Sequence, residues 1–286
     1  MKKRIIQFTM MVLVSALVGL TACQENSEDI EAGKGKVVVK LTDAPFPIDL
    51  VDKALVTIDK IEIRSTASLN ANEEIENSAF IVLSEETQTF NLLDLRNGIT
   101  ADLLAMNIDT GSYDMIRMHV VEGKVILKDG TSHTLKVPGG NSSGLKIKIA
   151  PELVVEGGVT NEVLLDFDVS KSFVIQGKVN TPIDLKTIIF KPVVRAVSQK
   201  MSSSIAGKVV GVTGAPIAEA YVQVINADTV LTSSLTNASG EYAMIGIPVG
   251  TYKMVCEKEG FSPVTVEGVK VELKGKIIQK FELLAE

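Results

Sequence analysis

The chain has 286 residues, 45% of them hydrophobic, a length that suits two domains of ordinary size and a composition that excludes wholesale disorder. Its 35 acidic residues outnumber 29 basic ones, giving a formal net charge of −6. That balance lacks the basic footprint that nucleic acid demands, so no nucleic-acid partner is expected.

The first segment reads as an address. Met1-Lys2-Lys3-Arg4 is basic, Ile5 to Leu20 is mostly apolar, and small residues follow at Thr21-Ala22-Cys23. This is the pattern of a secretory signal peptide over residues 1–22, with an apolar run shorter than the roughly 20 residues of a membrane-crossing helix. Cys23 directly after Leu20-Thr21-Ala22 resembles the lipobox of bacterial lipoproteins. The resemblance implies a diacylglycerol on the Cys23 thiol, cleavage before it, and a membrane partner reached through that lipid. Residues 23–33 form an acidic tether. Gln24 to Glu31 reads either as a solvated spacer or, by resemblance, as the acidic export signal that follows the lipid Cys in Bacteroidota lipoproteins. Both readings place the protein in the cell envelope as an outer membrane lipoprotein, with its periplasmic or external face left open.

The body of the chain is patterned as strands. Runs of β-branched and alternating residues occur at Lys36 to Leu41, Ala54 to Ile63, Ala79 to Leu83, Met115 to Val121, Lys124 to Lys128, Leu145 to Ile149, Glu162 to Val169 and Thr187 to Val197. Asn97-Gly98, Thr110-Gly111, Asp129-Gly130, Gly139-Gly140 and Gly157-Gly158 are turn signals between them. Between Ile58 and Ile61 the apolar phase slips, which predicts a bulge or a strand buried on both faces. One short helix is predicted, Thr100 to Met106, capped by Thr100 and carrying Leu103 and Leu104. The polar stretch 199–204 interrupts the pattern, which restarts at Ile205. The expected fold is all-β, two tandem antiparallel β-sandwich-like domains at 34–198 and 205–286, joined by a linker at 199–204. Tyr252, Met254 and Cys256 share a strand face, so Cys256 is expected in the core. With Cys23 carrying lipid, no intramolecular disulfide forms.

Two resemblances cover most of the mature chain. Leu41-Thr42-Asp43-Ala44-Pro45, Asn91-Leu92-Leu93-Asp94-Leu95, Gly111-Ser112-Tyr113, Val137-Pro138-Gly139-Gly140, Leu165-Asp166-Phe167-Asp168 and Lys191-Pro192-Val193 resemble domain of unknown function 4382, which implies no activity. Gly207-Lys208-Val209-Val210, Gly214-Ala215-Pro216-Ile217, Thr236-Asn237-Ala238-Ser239-Gly240, Ile247-Pro248-Val249-Gly250-Thr251-Tyr252 and Gly260-Phe261 resemble the carboxypeptidase regulatory-like, transthyretin-related sandwich. That likeness implies an accessory module with a carbohydrate-binding-like fold; Ala220, Val222 and Val224 fall on one strand face and are expected in the core. Ile108 to Tyr113 also echoes Ile247 to Tyr252, each a turn feeding a strand that opens near a Tyr.

Motifs of catalysis mostly fail on context. Gly140-Asn141-Ser142-Ser143-Gly144 fits a hydrolase pattern, but a strand follows it and His119 and His133 both precede it. With two His and no Cys cluster, neither a transition-metal site nor a cofactor is expected. Asp166 and Asp168 share a strand face opposite Leu165, Phe167 and Val169; they want water, Lys171 or a cation such as calcium. Asp43 is either a turn cap or a ligand. With no Trp, only Tyr221, facing outward from Ala220 and Val222, and Phe46, between two prolines, are candidate ligand contacts. Phe46 is either a plug of its own sandwich or a contact. The function expected is a non-enzymatic binding or scaffolding module for a glycan or a surface protein. The alternative is a fimbrial or pilus-type subunit, and the oligomeric state stays open.

Overall fold

The computed structural model describes residues 30–44, 51–68, 80–135, 137, 143–175 and 188–286. The signal peptide, Cys23, Phe46 and Ser142 lie outside the described residues. The β-branched runs of the first part become β1 (Lys34–Ala44), β2 (Val51–Ser65), β3 (Phe80–Ser84), β4 (Gln88–Asn91), β5 (Ala101–Asp109) and β6 (Gly111–Leu127). They continue as β7 (Ser132–Leu135), β8 (Leu145–Val155), β9 (Thr160–Asp168), β10 (Phe173–Ile175), β11 (Ile188–Phe190) and β12 (Val194–Ser198). The second part holds β13 (Ser202–Gly211), β14 (Tyr221–Asn226), β15 (Thr229–Leu235), β16 (Glu241–Pro248), β17 (Gly250–Glu257), β18 (Val264–Val271), β19 (Lys276–Ile278) and β20 (Phe281–Leu283). The all-β reading holds, and the described helices are single turns.

The first part holds a 10-stranded sheet in the order β3-β2-β6-β8-β12-β9-β1-β5, with β4 on β2 and β7 on β6, and a separate antiparallel pair β10-β11. Val37, Val39 and Leu41 of β1 join Val56, Ile63, Ile116, Met118, Ile149 and Phe167 in a single buried cluster. A flat sheet cannot bring those strands together, so it folds over on itself, with β5-β1-β9-β12 facing β3-β2-β6-β8. Only the pair Ala196↔Ile149 joins β12 to β8. The second part is a sandwich of β16-β13-β19, with β20 also on β13, against β15-β14-β17-β18. Its core includes Ala220, Val222, Val224 and Cys256, each fully buried. Burial also pushes the Cys256 thiol up to about 12. Not every pairing is antiparallel: β1 with β9, β8 with β12, and β13 with β19 and β20 run parallel. Each of these partners is reached by a long excursion through other strands, which is what a parallel pair requires.

The two sandwiches are wired alike. The first strand of each (β1, β13) lies between an antiparallel neighbour (β5, β16) and a parallel one (β9, β19). The second (β2, β14) lies between antiparallel neighbours that follow it in the chain (β3 and β4, β15) and the strand after the corner (β6, β17). The sequence echo falls on that corner in both. Tyr113 Oη donates to the Asp109 carbonyl at 2.8 Å, and Tyr252 Oη donates to the Pro248 carbonyl at 2.9 Å. Each hydroxyl thus pins the backbone that crosses between layers, the arrangement called a tyrosine corner in other sandwiches.

Three sequence expectations are corrected. Thr100 to Met106 is not a helix; Ala101–Asp109 is β5, paired along β1 from Lys34↔Asp109 to Leu41↔Ala101. A seven-residue helix has little stability of its own, whereas the strand satisfies the open edge of β1. Thr187 to Val197 is not one strand, because Lys191-Pro192-Val193 separates β11 from β12, and Pro192 has no amide to donate to a ladder. The two strands expected at 115–121 and 124–128 are one, β6. It runs through Gly123, where a Cβ would stand 2.7 Å from the buried Phe190 ring. The slip in β2 is a bulge as expected: register with β6 shifts around Ile58, and the inward set changes from Ala54, Val56 and Ile58 to Ile61 and Ile63. The stretch 199–204 is a turn of 3-10 helix, Gln199–Met201, followed directly by β13.

Candidate functional site

Strand alternation sets the geometry of the site. On β9, Val163, Leu165 and Phe167 enter the core, so Leu164 and Asp166 point away from it. Leu164 is nonetheless 0% exposed, because β16 lies over it. A Cβ on Gly246 would come within 2.7 Å of Leu164 Cδ2. Arg195 stands opposite Asp166 in register. Its Nη2 donates to Asp166 Oδ2 at 2.6 Å and its Nη1 to the Gly246 carbonyl at 2.6 Å, tying both sandwiches to one guanidinium. The Thr232 hydroxyl of β15 also bonds Asp166. Beside them Lys171 pairs with Asp168 at 2.6 Å and donates to the Val230 carbonyl at 3.2 Å. Further along, the Asn97 and Ser234 side chains hydrogen-bond across the same interface.

Asp168 is therefore paired with Lys171, one of the three expected arrangements. Asp166 is not a solvated face, because the second sandwich covers it. Burial raises the Asp166 carboxyl above the ordinary range more than Arg195 lowers it. The turn that Asp43 is expected to cap lies outside the described residues; among the described residues Asp43 belongs to no metal cluster. It stands one residue from the end of β1 with 5% exposure, and among the described residues its carboxyl oxygens have no hydrogen-bond partner. Burial first, then the neighbouring Asp166, raises it well above the usual carboxylate range; the Val169 amide offsets some of this without reaching hydrogen-bond geometry.

Two clefts flank this contact. One, of about 550 Å³, lies beside the ion pairs, between Asp166, Asp168, Lys171, Val193 and Arg195 on one side and Asn226 to Thr232 on the other. The larger, of about 760 Å³, is a groove whose first wall is Val51, Asp52, Leu93, Arg96 and Lys128. Its second wall carries Glu219, Tyr221, Leu235, Glu257, Lys258, Glu259, Phe261 and Pro263. It continues past Arg96 and Leu93 into a smaller recess of about 380 Å³ at Asp94, Asn97 and Ala238. The ladder puts Leu235, Tyr221 and Glu257 side by side on β15, β14 and β17. Arg96 Nε donates to the Leu93 carbonyl at 2.6 Å, which fixes the guanidinium.

The outward Tyr221 thus lines the groove, while Tyr113, Tyr242 and Tyr252 are core residues. The second aromatic, Phe261, was visible in the sequence only as part of a Gly-Phe motif. Arg96 and Lys128 carried no sequence signal; each stands beside a turn, Asn97-Gly98 and Asp129-Gly130, and only the docking of the second sandwich makes them walls.

A family model described as domain of unknown function (DUF4382) matches residues 34–187, more than half of the chain, and a carboxypeptidase regulatory-like domain matches residues 204–283. No curated protein matches. Among solved structures, a shaft pilin spaA from Lactobacillus rhamnosus GG is 10% identical, with 88% of this chain and 97% of that one covered, at a TM-score of 0.24. The Bacillus anthracis TIE protein is 10% identical over 88% of this chain and 34% of its own, at 0.26. A 3-chlorocatechol 1,2-dioxygenase from Rhodococcus opacus 1CP is 15% identical over 30% of this chain, at 0.25; the match spans 60% of that enzyme's own length. TM-scores this low carry no argument about arrangement or activity.

Proposed function

The chain belongs to the family of the domain of unknown function DUF4382, and from that premise we propose that it is a non-enzymatic, lipid-anchored binding module of the cell envelope, holding a glycan in the groove between its sandwiches. Neither matched family description names a catalytic activity. The observation that carries the reading is the row of Tyr221, Leu235 and Glu257 on the groove wall. An aromatic face takes the C–H face of a sugar ring, and exposed carboxylates beside it accept hydroxyls. Concave sites between domains are a common setting for such ligands.

Two outcomes are expected. Tyr221→Ala should weaken oligosaccharide binding roughly tenfold, since it removes the stacking surface, and leave the melting temperature nearly unchanged because the residue is only half-buried. Glycan-array binding of the full chain in detergent, with and without the substitution, is the measurement; binding unaltered by the change would move the ligand elsewhere. Cys23→Ala should abolish fatty-acid incorporation and detach the mature chain from the membrane. Undiminished lipid labelling of that variant would remove the anchor from the reading. Laddered polymers on a native gel would favour the pilus-type subunit instead.

A further inference from the structure

We propose that the groove selects a glycan bearing an isolated carboxylate, one acidic sugar among neutral ones, and that Arg96 with Lys128 reads that carboxylate. This rests on the glycan reading above and names its ligand class. The two walls carry opposite charge. The first presents Arg96 and Lys128 against Asp52, the second Glu219, Glu257 and Glu259 against Lys258. Lys258 is already engaged, donating to the Glu219 carbonyl at 3.3 Å. Arg96 and Lys128 make no ion pair among the described residues. Asp43 also lies within the field of Arg96, and burial raises its carboxyl well above the usual carboxylate range, which weakens its hold on the guanidinium.

Arg96 also has the form of an anion receptor. It is half-buried, and its Nε is spent on the Leu93 carbonyl. The side chain stands at the junction of groove and recess, since it lines both. A planar fork fixed before binding loses little freedom on engaging a carboxylate with two hydrogen bonds. The opposite wall sets the density of charge. Glu257 and Glu259 are exposed and accept sugar hydroxyls, but they repel a chain with a carboxylate on every ring. One acidic sugar at Arg96, with neutral rings running over Tyr221, satisfies both walls.

The test is a glycan array holding sialylated and uronate-bearing oligosaccharides beside their neutral parents, probed with the full chain in detergent, with Glu-rich peptides spotted on the same surface. The acidic members should bind about tenfold or more tightly than their parents, and Arg96→Gln should weaken the acidic members far more than the parents, so that the difference between them largely disappears. Lys128→Gln, at an exposed position that tolerates change, should reduce the preference in the same direction. Added salt should weaken the acidic members alone. Equal binding of acidic and neutral members, lost in Tyr221→Ala, would overturn the inference and leave the glycan reading standing. Binding of no glycan would remove both. Tighter binding of the peptides than of any glycan would overturn the inference in favour of a protein partner.

Discussion

Arg195→Met should destabilise the protein by about 3–5 kcal/mol at neutral pH, the usual result of removing one member of a buried ion pair. Arg195 joins Asp166 of the first sandwich to the Gly246 carbonyl of the second. Methionine keeps much of the volume and none of the charge. Asp166, with a side chain only 7% exposed, would then face Asp43 and Asp168 with only the Thr232 hydroxyl to oppose its burial. Its carboxyl is raised even with Arg195 present, and the loss of the cation raises it further. The deficit should therefore shrink as pH falls and Asp166 takes up a proton. In an Asp166→Asn background the same substitution should cost far less. Urea unfolding of the single and double variants near pH 5 and pH 7 reads this directly. A loss below 1 kcal/mol, or an equal loss in both backgrounds, would show that the guanidinium does not clamp the interface.

Asp43→Asn should act in the opposite sense and stabilise the protein at neutral pH. The native carboxyl is held well above its ordinary value by burial. A group raised in the folded state binds its proton more tightly there than in the unfolded chain. Its contribution is fully favourable below the unfolded value near 4 and is lost as pH rises toward the folded value. Over that window the wild type should lose on the order of 1.4 kcal/mol of stability per pH unit at this site. Asparagine has nearly the same shape and does not ionise, so the gap in favour of the variant should widen from about pH 4 upward. A constant difference between variant and wild type across that range would mean that Asp43 ionises freely in the folded protein.

What the sequence disclosed was whatever depends on a short period. Ala220, Val222 and Val224, and Tyr252, Met254 and Cys256, alternate in a way that only a half-buried strand explains, and all six are buried. The phase slip at Ile58 announced its bulge for the same reason. Thr100 to Met106 misled because Ala, Leu and Met favour helices locally, while the deciding partner, β1, lies some sixty residues earlier in the chain. Asp166 and Asp168 were recognised as one strand face, but the cover over Asp166 comes from Thr232 and Gly246 in the second sandwich. The groove was legible only at Tyr221. Its remaining walls come from turns and strand ends scattered between Val51 and Pro263, and no local pattern records which of them meet.

The turn Gln199–Met201 is the only chain between β12 and β13. Three residues reach at most about 11 Å when fully extended. If the Arg195 contact opens, the second sandwich cannot drift away; it stays leashed to the end of β12, beside the strand that carries Arg195. Re-engagement is then an intramolecular event, governed by an effective concentration in the millimolar range or above rather than by how much protein is present. Dilution should leave the groove intact.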